Sequence, residues 1–199
     1  MLEETIMERW RFLNQQRITK LERARKCAAL TIPSLLPPEG WTEEMQLPQP
    51  YSSVAARGVT NMGSRILSAM LPLNDTPFFR FELQTGMEAQ HEIKNFLEGL
   101  AYQVHNKLSS KNLRETIFTA LQHLIVVGDV CVVQEDNHNF RVIRLDQYVA
   151  RRNVEGDLQE LIYLEFISKG NDEGVLTGYQ DVLMEDDRTG YETQYVRLT

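Results

Sequence analysis

Residues 112–133 read NLRETIFTALQHLIVVGDVCVV, and the change of period within this stretch decides the fold class. Leu113, Ile117, Leu121, Leu124 and Ile125 recur at three- and four-residue steps, the spacing of one helix face, so a helix is expected over about 112–127. Gly128 ends that pattern, and Val130 to Val133 opens a series of strand-like segments. The residues before Gly128 are mostly helical in pattern. Those after it alternate as strands do.

Toward the N-terminus, a helix is expected over about Met87 to Leu108, carried by Ile93, Phe96, Leu97, Leu100, Val104 and Leu108. Before it, Phe78 to Leu83 alternates like a half-buried strand. A further helix runs from a Ser52 or Ser53 cap through Val54, Val59, Met62, Ile66 and Met70 to Leu71. Its small residues, among them Ala55, Gly58, Gly63 and Ser68, let another backbone come close. Pro33, Pro37, Pro38 and Gly40 close the first helix, expected as one amphipathic rod from Glu3 to Leu30 with Ile6, Trp10, Leu13, Leu21, Ala24 and Ala28 on its apolar side.

Toward the C-terminus, strands are expected over 140–145, 148–152, 158–168, 179–184 and 191–198, divided by turns at 137–139, 153–157 and 186–190. Helices first and antiparallel strands afterwards make an α+β fold. Residues 1–128 are expected as its mainly helical part and 129–199 as its β-rich part, in one continuous domain. The chain ends at Thr199 directly after the last strand, and a truncated piece of a longer protein is expected.

With 42% hydrophobic and 25% charged residues, the chain has the composition of a folded protein rather than a disordered one. No apolar run approaches the ~18 residues of a membrane helix, and Glu3 and Glu4 stand where an export signal would carry bases. No membrane association is expected. Cys27 and Cys131 fit neither a disulfide framework nor a metal-ligand spacing and are expected to be reduced and buried. The net charge of −7 argues against a simple nucleic-acid binder. That charge is uneven: Arg17, Lys20, Arg23, Arg25 and Lys26 crowd the first helix, while Asp181, Glu185, Asp186, Asp187 and Glu192 crowd the last strands. Such asymmetry suits subunits that pack head to tail.

Motifs for chemistry fail one by one. Gly58 to Gly63 has phosphate-loop spacing, but Ser64 and Arg65 replace the required lysine and hydroxyl, and the segment is helical. His91 and Glu92 lack the second histidine of a helical zinc site. His105, His123 and His138 are scattered, and His123 reads as a satisfied, half-buried histidine. Glu135 and Asp136 could hold a divalent cation as in a nuclease, although they adjoin an Asn-rich turn and read better as solvated. Asn74, Asp75 and Thr76 form a glycosylation triplet that matters only in a secretory route. No catalytic residue, metal ligand or cofactor is expected.

Three segments carry a resemblance. Arg25 to Pro37 (RKCAALTIPSLLP), Tyr51 to Arg65 continuing to Met70, Leu71 and Pro72, and Thr116 to Asp129 are similar, in this order, to segments of the portal (head-to-tail connector) proteins of short-tailed, T7-like bacteriophages. The likeness covers nearly the whole chain. It implies the outward-projecting wing of a portal subunit, without the stem, clip and crown of those longer proteins. It further implies a homo-oligomeric, dodecameric ring at one capsid vertex of the virion, assembled in the host cytoplasm. The implied partners are the major capsid protein, the terminase motor, a tail adaptor and double-stranded DNA passing through the lumen without sequence-specific binding. For such a ring the candidate subunit-interface residues are Arg17, Lys20, Arg23, Lys26, Arg57 and Gly63, with close packing inside the subunit an equal reading for Gly63. No DNA-facing residue is assigned. A capsid-associated adaptor without a channel, or a metal-dependent nuclease using Glu135 and Asp136, stand as alternatives.

Overall fold

The computed structural model describes residues 6–42, 44–72, 77–82, 91–109, 112–134, 139–168, 182–185 and 191–198. Among these the helices are α1 (Ile6–Gln16), α2 (Ile18–Leu30), α3 (Val54–Met70), α4 (His91–Ser109) and α5 (Leu113–Val127). The strands are β1 (Cys131–Gln134), β2 (Phe140–Ile143), β3 (Tyr148–Arg152), β4 (Leu158–Ser168), β5 (Val182–Glu185) and β6 (Tyr191–Leu198). The fold is α+β, helices first, as the sequence pattern requires. Contacts gather the chain into two compact units, residues 1–49 with 143–199, and residues 50–142.

In the first unit, β3, β4, β6 and β5 lie side by side in that order, each neighbouring pair antiparallel. Strand β4 is central. Its Ile162 is wholly buried and pairs in register with Val149 of β3, and both pack against Ile6, Trp10 and Leu13 of α1. These α1 residues recur at four and three positions, so one helix side meets the sheet. Each buried aliphatic side chain contributes roughly 1.5–3 kcal/mol. Beside this apolar contact, the Arg9 Nε of α1 donates to a carboxylate oxygen of Glu160 at 3.0 Å, and Glu160 is itself buried, its side chain 6% exposed.

The single rod expected over Glu3 to Leu30 is instead two helices parted at Arg17. The apolar stripe explains the break: four residues after Leu13 and four before Leu21 stands a guanidinium where an apolar side chain belongs. The Arg17 amide turns back to the Asn14 carbonyl at 3.1 Å, its Nε donates to Asn14 Oδ1 at 3.0 Å, and its guanidinium lies 5.8 Å from the Tyr148 ring centre. Asn14 favours such a stop because its side chain competes for local hydrogen bonds. Helix α2 then buries Leu21, Ala24 and Ala28 and runs into the proline-rich loop, where Leu36 is almost wholly enclosed.

In the second unit, α3 packs on α5 through Leu67, Leu71 and Leu121, flanked by Ile66, Ile117 and Phe118. Gly63 faces α5: a Cβ there would stand 3.4 Å from Phe118 Cε2, an ordinary contact, so a side chain larger than a methyl would press on that ring. Both ends of α3 and the end of α5 have hydrogen-bonding partners. The Val54 amide donates to Ser52 Oγ at 3.3 Å, the Arg114 guanidinium donates to the Leu71 carbonyl at 2.6 Å, and Gly128, at φ 85°, returns its amide to the His123 and Leu124 carbonyls. A left-handed glycine is the usual helix stop of this kind. Asn112 holds β2 as a strand neighbour would: its Nδ2 donates to the Phe140 carbonyl at 2.8 Å and its Oδ1 accepts from the Phe140 amide at 2.9 Å.

The strand expected over Phe78 to Leu83 does not form in the described part, 77–82. Its aromatics instead make an edge-to-face chain, with Phe78 to Phe79 at 5.1 Å, Phe79 to Phe81 at 5.5 Å, and Phe78 to His105 of α4 at 5.8 Å. Ring contacts supply the cohesion that ladder hydrogen bonds would give a strand. The Asn74–Thr76 triplet, the Glu135 and Asp136 pair and the 186–190 turn lie outside the described residues.

Two substitutions probe these cores. Arg9→Met removes the guanidinium that donates to Glu160 at 3.0 Å and should lower the free energy of urea unfolding by about 1.5–3 kcal/mol. Gly63→Leu drives side-chain atoms into Phe118 and should lower unfolding free energy of the single chain by about 1–3 kcal/mol.

Candidate subunit interface

The bases that crowd the N-terminal helices fall into two groups. Arg17 is engaged with Asn14 and Tyr148, and Arg25 donates to a Glu39 oxygen at 2.7 Å. Lys20, Arg23 and Lys26 are exposed on α2 and hold no ion pair among the described residues. The first group shapes the chain. The second remains as an outward cationic surface.

Between α2 and the proline-rich loop lies an open groove of about 480 Å³, lined among others by Glu22, Arg25, Lys26, Leu36 and Glu39. Its walls carry both charge signs and prolines, without a nucleophile and base directed at one point. Among the described residues, no group of three or more His, Cys, Asp or Glu side chains is placed to hold a metal ion. No helix there is long and apolar enough to cross a membrane.

On α3 the candidate residues part company. Gly63 faces α5 inside the same chain, whereas Arg57 is exposed, as are Arg65, Val54, Met62 and Met70. Helix α4 buries Ala101 and leaves Ile93, Phe96 and Leu100 at least partly in solvent, Phe96 at 69% exposure. These three recur at three- and four-residue steps, so they share one side of the helix. An apolar strip of this kind is a usual mark of a protein–protein contact. Their spacing in the sequence marks a helix face but does not distinguish a core face from a docking face. Only their exposure separates the two uses.

The histidines stay apart. His123 is buried on α5, more fully than the half-burial expected, and interacts within the chain. His105 joins the aromatic chain of Phe78, Phe79 and Phe81. The cysteines divide: Cys27, expected to be buried, is exposed on α2, because it sits one position before the buried Ala28 and so on a different side of the helix. Cys131 is partly buried, and burial first, then the Asp129 carboxylate, push its thiol above the ordinary value. It is held as the neutral thiol, the unreactive form. Iodoacetamide near neutral pH should therefore modify Cys27 well before Cys131 in peptide mass spectra. The stability that the neutral Cys131 thiol contributes is present below the unfolded thiol's pKa and is lost as pH rises through its raised folded value.

Comparison with known proteins gives this arrangement a family. Residues 3–169 match the model of the bacteriophage head to tail connecting proteins. The portal protein of Escherichia phage T7 is 28% identical over 159 residues, which are 74% of this chain and 30% of that protein. The portal protein of Enterobacteria phage T3 is 28% identical over 158 residues, again 74% and 30% of the two chains. That of Enterobacteria phage SP6 is 23% identical over 164 residues, 78% of this chain and 31% of the relative. The chain thus spans about three-tenths of the length of these relatives. With the greater part of its residues matched by one family model, and with cationic and apolar surfaces turned outward rather than gathered round a cleft, this chain belongs to the bacteriophage head to tail connecting proteins.

Proposed function

We propose that this chain serves as the wing of a portal subunit, in a dodecameric ring at one capsid vertex through which the genome is packaged and later ejected. The observation that carries this reading is the family match over residues 3–169. Exposed cations at Lys20, Arg23, Lys26 and Arg57, which hold no ion pair among the described residues, support it by supplying a surface for an acidic neighbour. A ring closed by rotation needs two different, complementary surfaces on every subunit. The role is structural, with no catalytic step. The partners we propose are the capsid protein, the terminase motor, a tail adaptor and the DNA in the lumen.

Electrostatics fit a channel. Every phosphate that a wall neutralises adds salt-dependent affinity and therefore drag on a moving duplex. A wing portion of net charge −7, repeated round a ring, contributes a negative field that disfavours holding the duplex against it. The same field drives subunits apart, and opposite-charge contacts at their borders offset it.

Electron microscopy of the full-length product tests the reading: a ring with a central hole is expected, and isolated particles without one contradict it. Reversing the charges at Lys20, Arg23 and Lys26 together should weaken self-association at least about tenfold while leaving the melting temperature of the single chain nearly unchanged.

A further inference from the structure

The turn between β3 and β4 reads Asn153, Val154, Glu155, Gly156, Asp157, and its valine is fully exposed, as are Glu155 and Asp157. Turn positions ordinarily take Gly, Pro, Asn, Asp or Ser, so a β-branched apolar residue at the tip is the exception. The tip is well fixed all the same. The Asn153 amide donates to the Asp157 carbonyl at 3.0 Å, the Gly156 amide to the Asn153 carbonyl at 3.2 Å, and the Asp157 amide to Asn153 Oδ1 at 2.7 Å. Arg152 braces it with an Nη1 bond to the Gly156 carbonyl at 3.0 Å, and Gly156 takes the left-handed φ of 96° that the turn requires. No described residue covers Val154, and the backbone that bears it has little freedom left to lose on binding.

A recess of matching character belongs to the same unit. The groove between α2 and the proline-rich loop has Ala29, Pro33 and Leu36 in its apolar lining, and none of residues 153–157 lines it. Its volume of about 480 Å³ falls within the roughly 300–1,000 Å³ of pockets that enclose a bound group. Among the described residues its charged lining is Glu22, Arg25, Lys26 and Glu39. Arg25 and Glu39 answer each other at 2.7 Å through Nη1, while the Arg25 Nε has no partner. Glu22 and Lys26 hold no ion pair among the described residues, and neither do Arg152 and Glu155 at the hairpin tip. Each surface thus carries one spare charge of each sign beside an apolar centre. We propose that the Val154 tip of the β3–β4 hairpin enters the α2 groove of a second copy of this chain, with Glu155 set against Lys26 and Arg152 against Glu22. This inference rests on the ring reading and names one pair of surfaces within it. Tip and groove are the two different, complementary surfaces that a closed ring asks of every subunit, and the charge pairs fix which way round the tip is seated.

Self-association of the full-length product, read by sedimentation with melting temperature as the control for folding, tests the contact. Lys26→Glu and Glu155→Lys should each weaken association at least about tenfold. The two together should restore most of it, because the pair re-forms with its signs exchanged. Val154→Ser should weaken association about tenfold and leave the melting temperature unchanged, since nothing in the single chain packs on that valine. On a Cys27→Ser background, Ala29→Cys and Val154→Cys variants mixed and oxidised should give a disulfide-linked dimer well beyond what either gives alone. Folded variants that associate as the parent does, or a double exchange that recovers no affinity, overturn the inference and leave the ring reading intact. A parent chain that stays monomeric at every concentration overturns both.

Discussion

The first helix depends for its place on strands that come far later in the chain. Ile6, Trp10 and Leu13 share one side of α1 and are buried together with Val149 and Ile162. Beside them Arg9 and Glu160 meet as a mostly buried pair. Such a pair contributes little net stability over an apolar replacement, but it penalises any register in which one partner is buried alone. It therefore fixes how α1 lies on the sheet. With α1 on the sheet, Arg17 at the break lies by the Tyr148 ring, and α2 runs on into the proline-rich loop.

The distribution of cations depends on the same packing. Arg9, Arg17 and Arg25 have carboxylate, amide or ring partners inside the chain, and Arg114 closes the end of α3. Lys20, Arg23, Lys26, Arg57 and Arg65 are turned to solvent. In a chain of net charge −7 these outward bases are a minority sign, and a local minority of charge is what gives an oppositely charged neighbour a defined place to bind.

Much of the secondary structure was legible. Periodicity located α5 and the strands β3 and β4 almost to the residue, because strong apolar spacing and clear turn residues surround them. It missed three things. Phe78 to Glu82 has strand-like alternation, but its rings are satisfied by each other and by His105. The break at Arg17 was visible as a charged residue on an apolar stripe, a signal that an unbroken 3.6-residue period obscures. Asn112, expected as the first residue of the helix, lies just before it and acts as the hydrogen-bonding neighbour of Phe140.

By itself the sequence determined the α+β class, the order of helices and strands, the stop at Gly128 and the likeness to head-to-tail connectors, since each of these depends on local spacing or on matched segments. Tertiary structure decided which elements share a core: α1 with β3 and β4, and α3 with α5. It also decided which side of each helix is left for partners. Gly63 turned inward while Gly58 turned outward, and Ala28 was buried while Cys27 beside it was not. The reason is physical: spacing along a chain says that two residues share a face, but only the packing of distant elements says what that face meets.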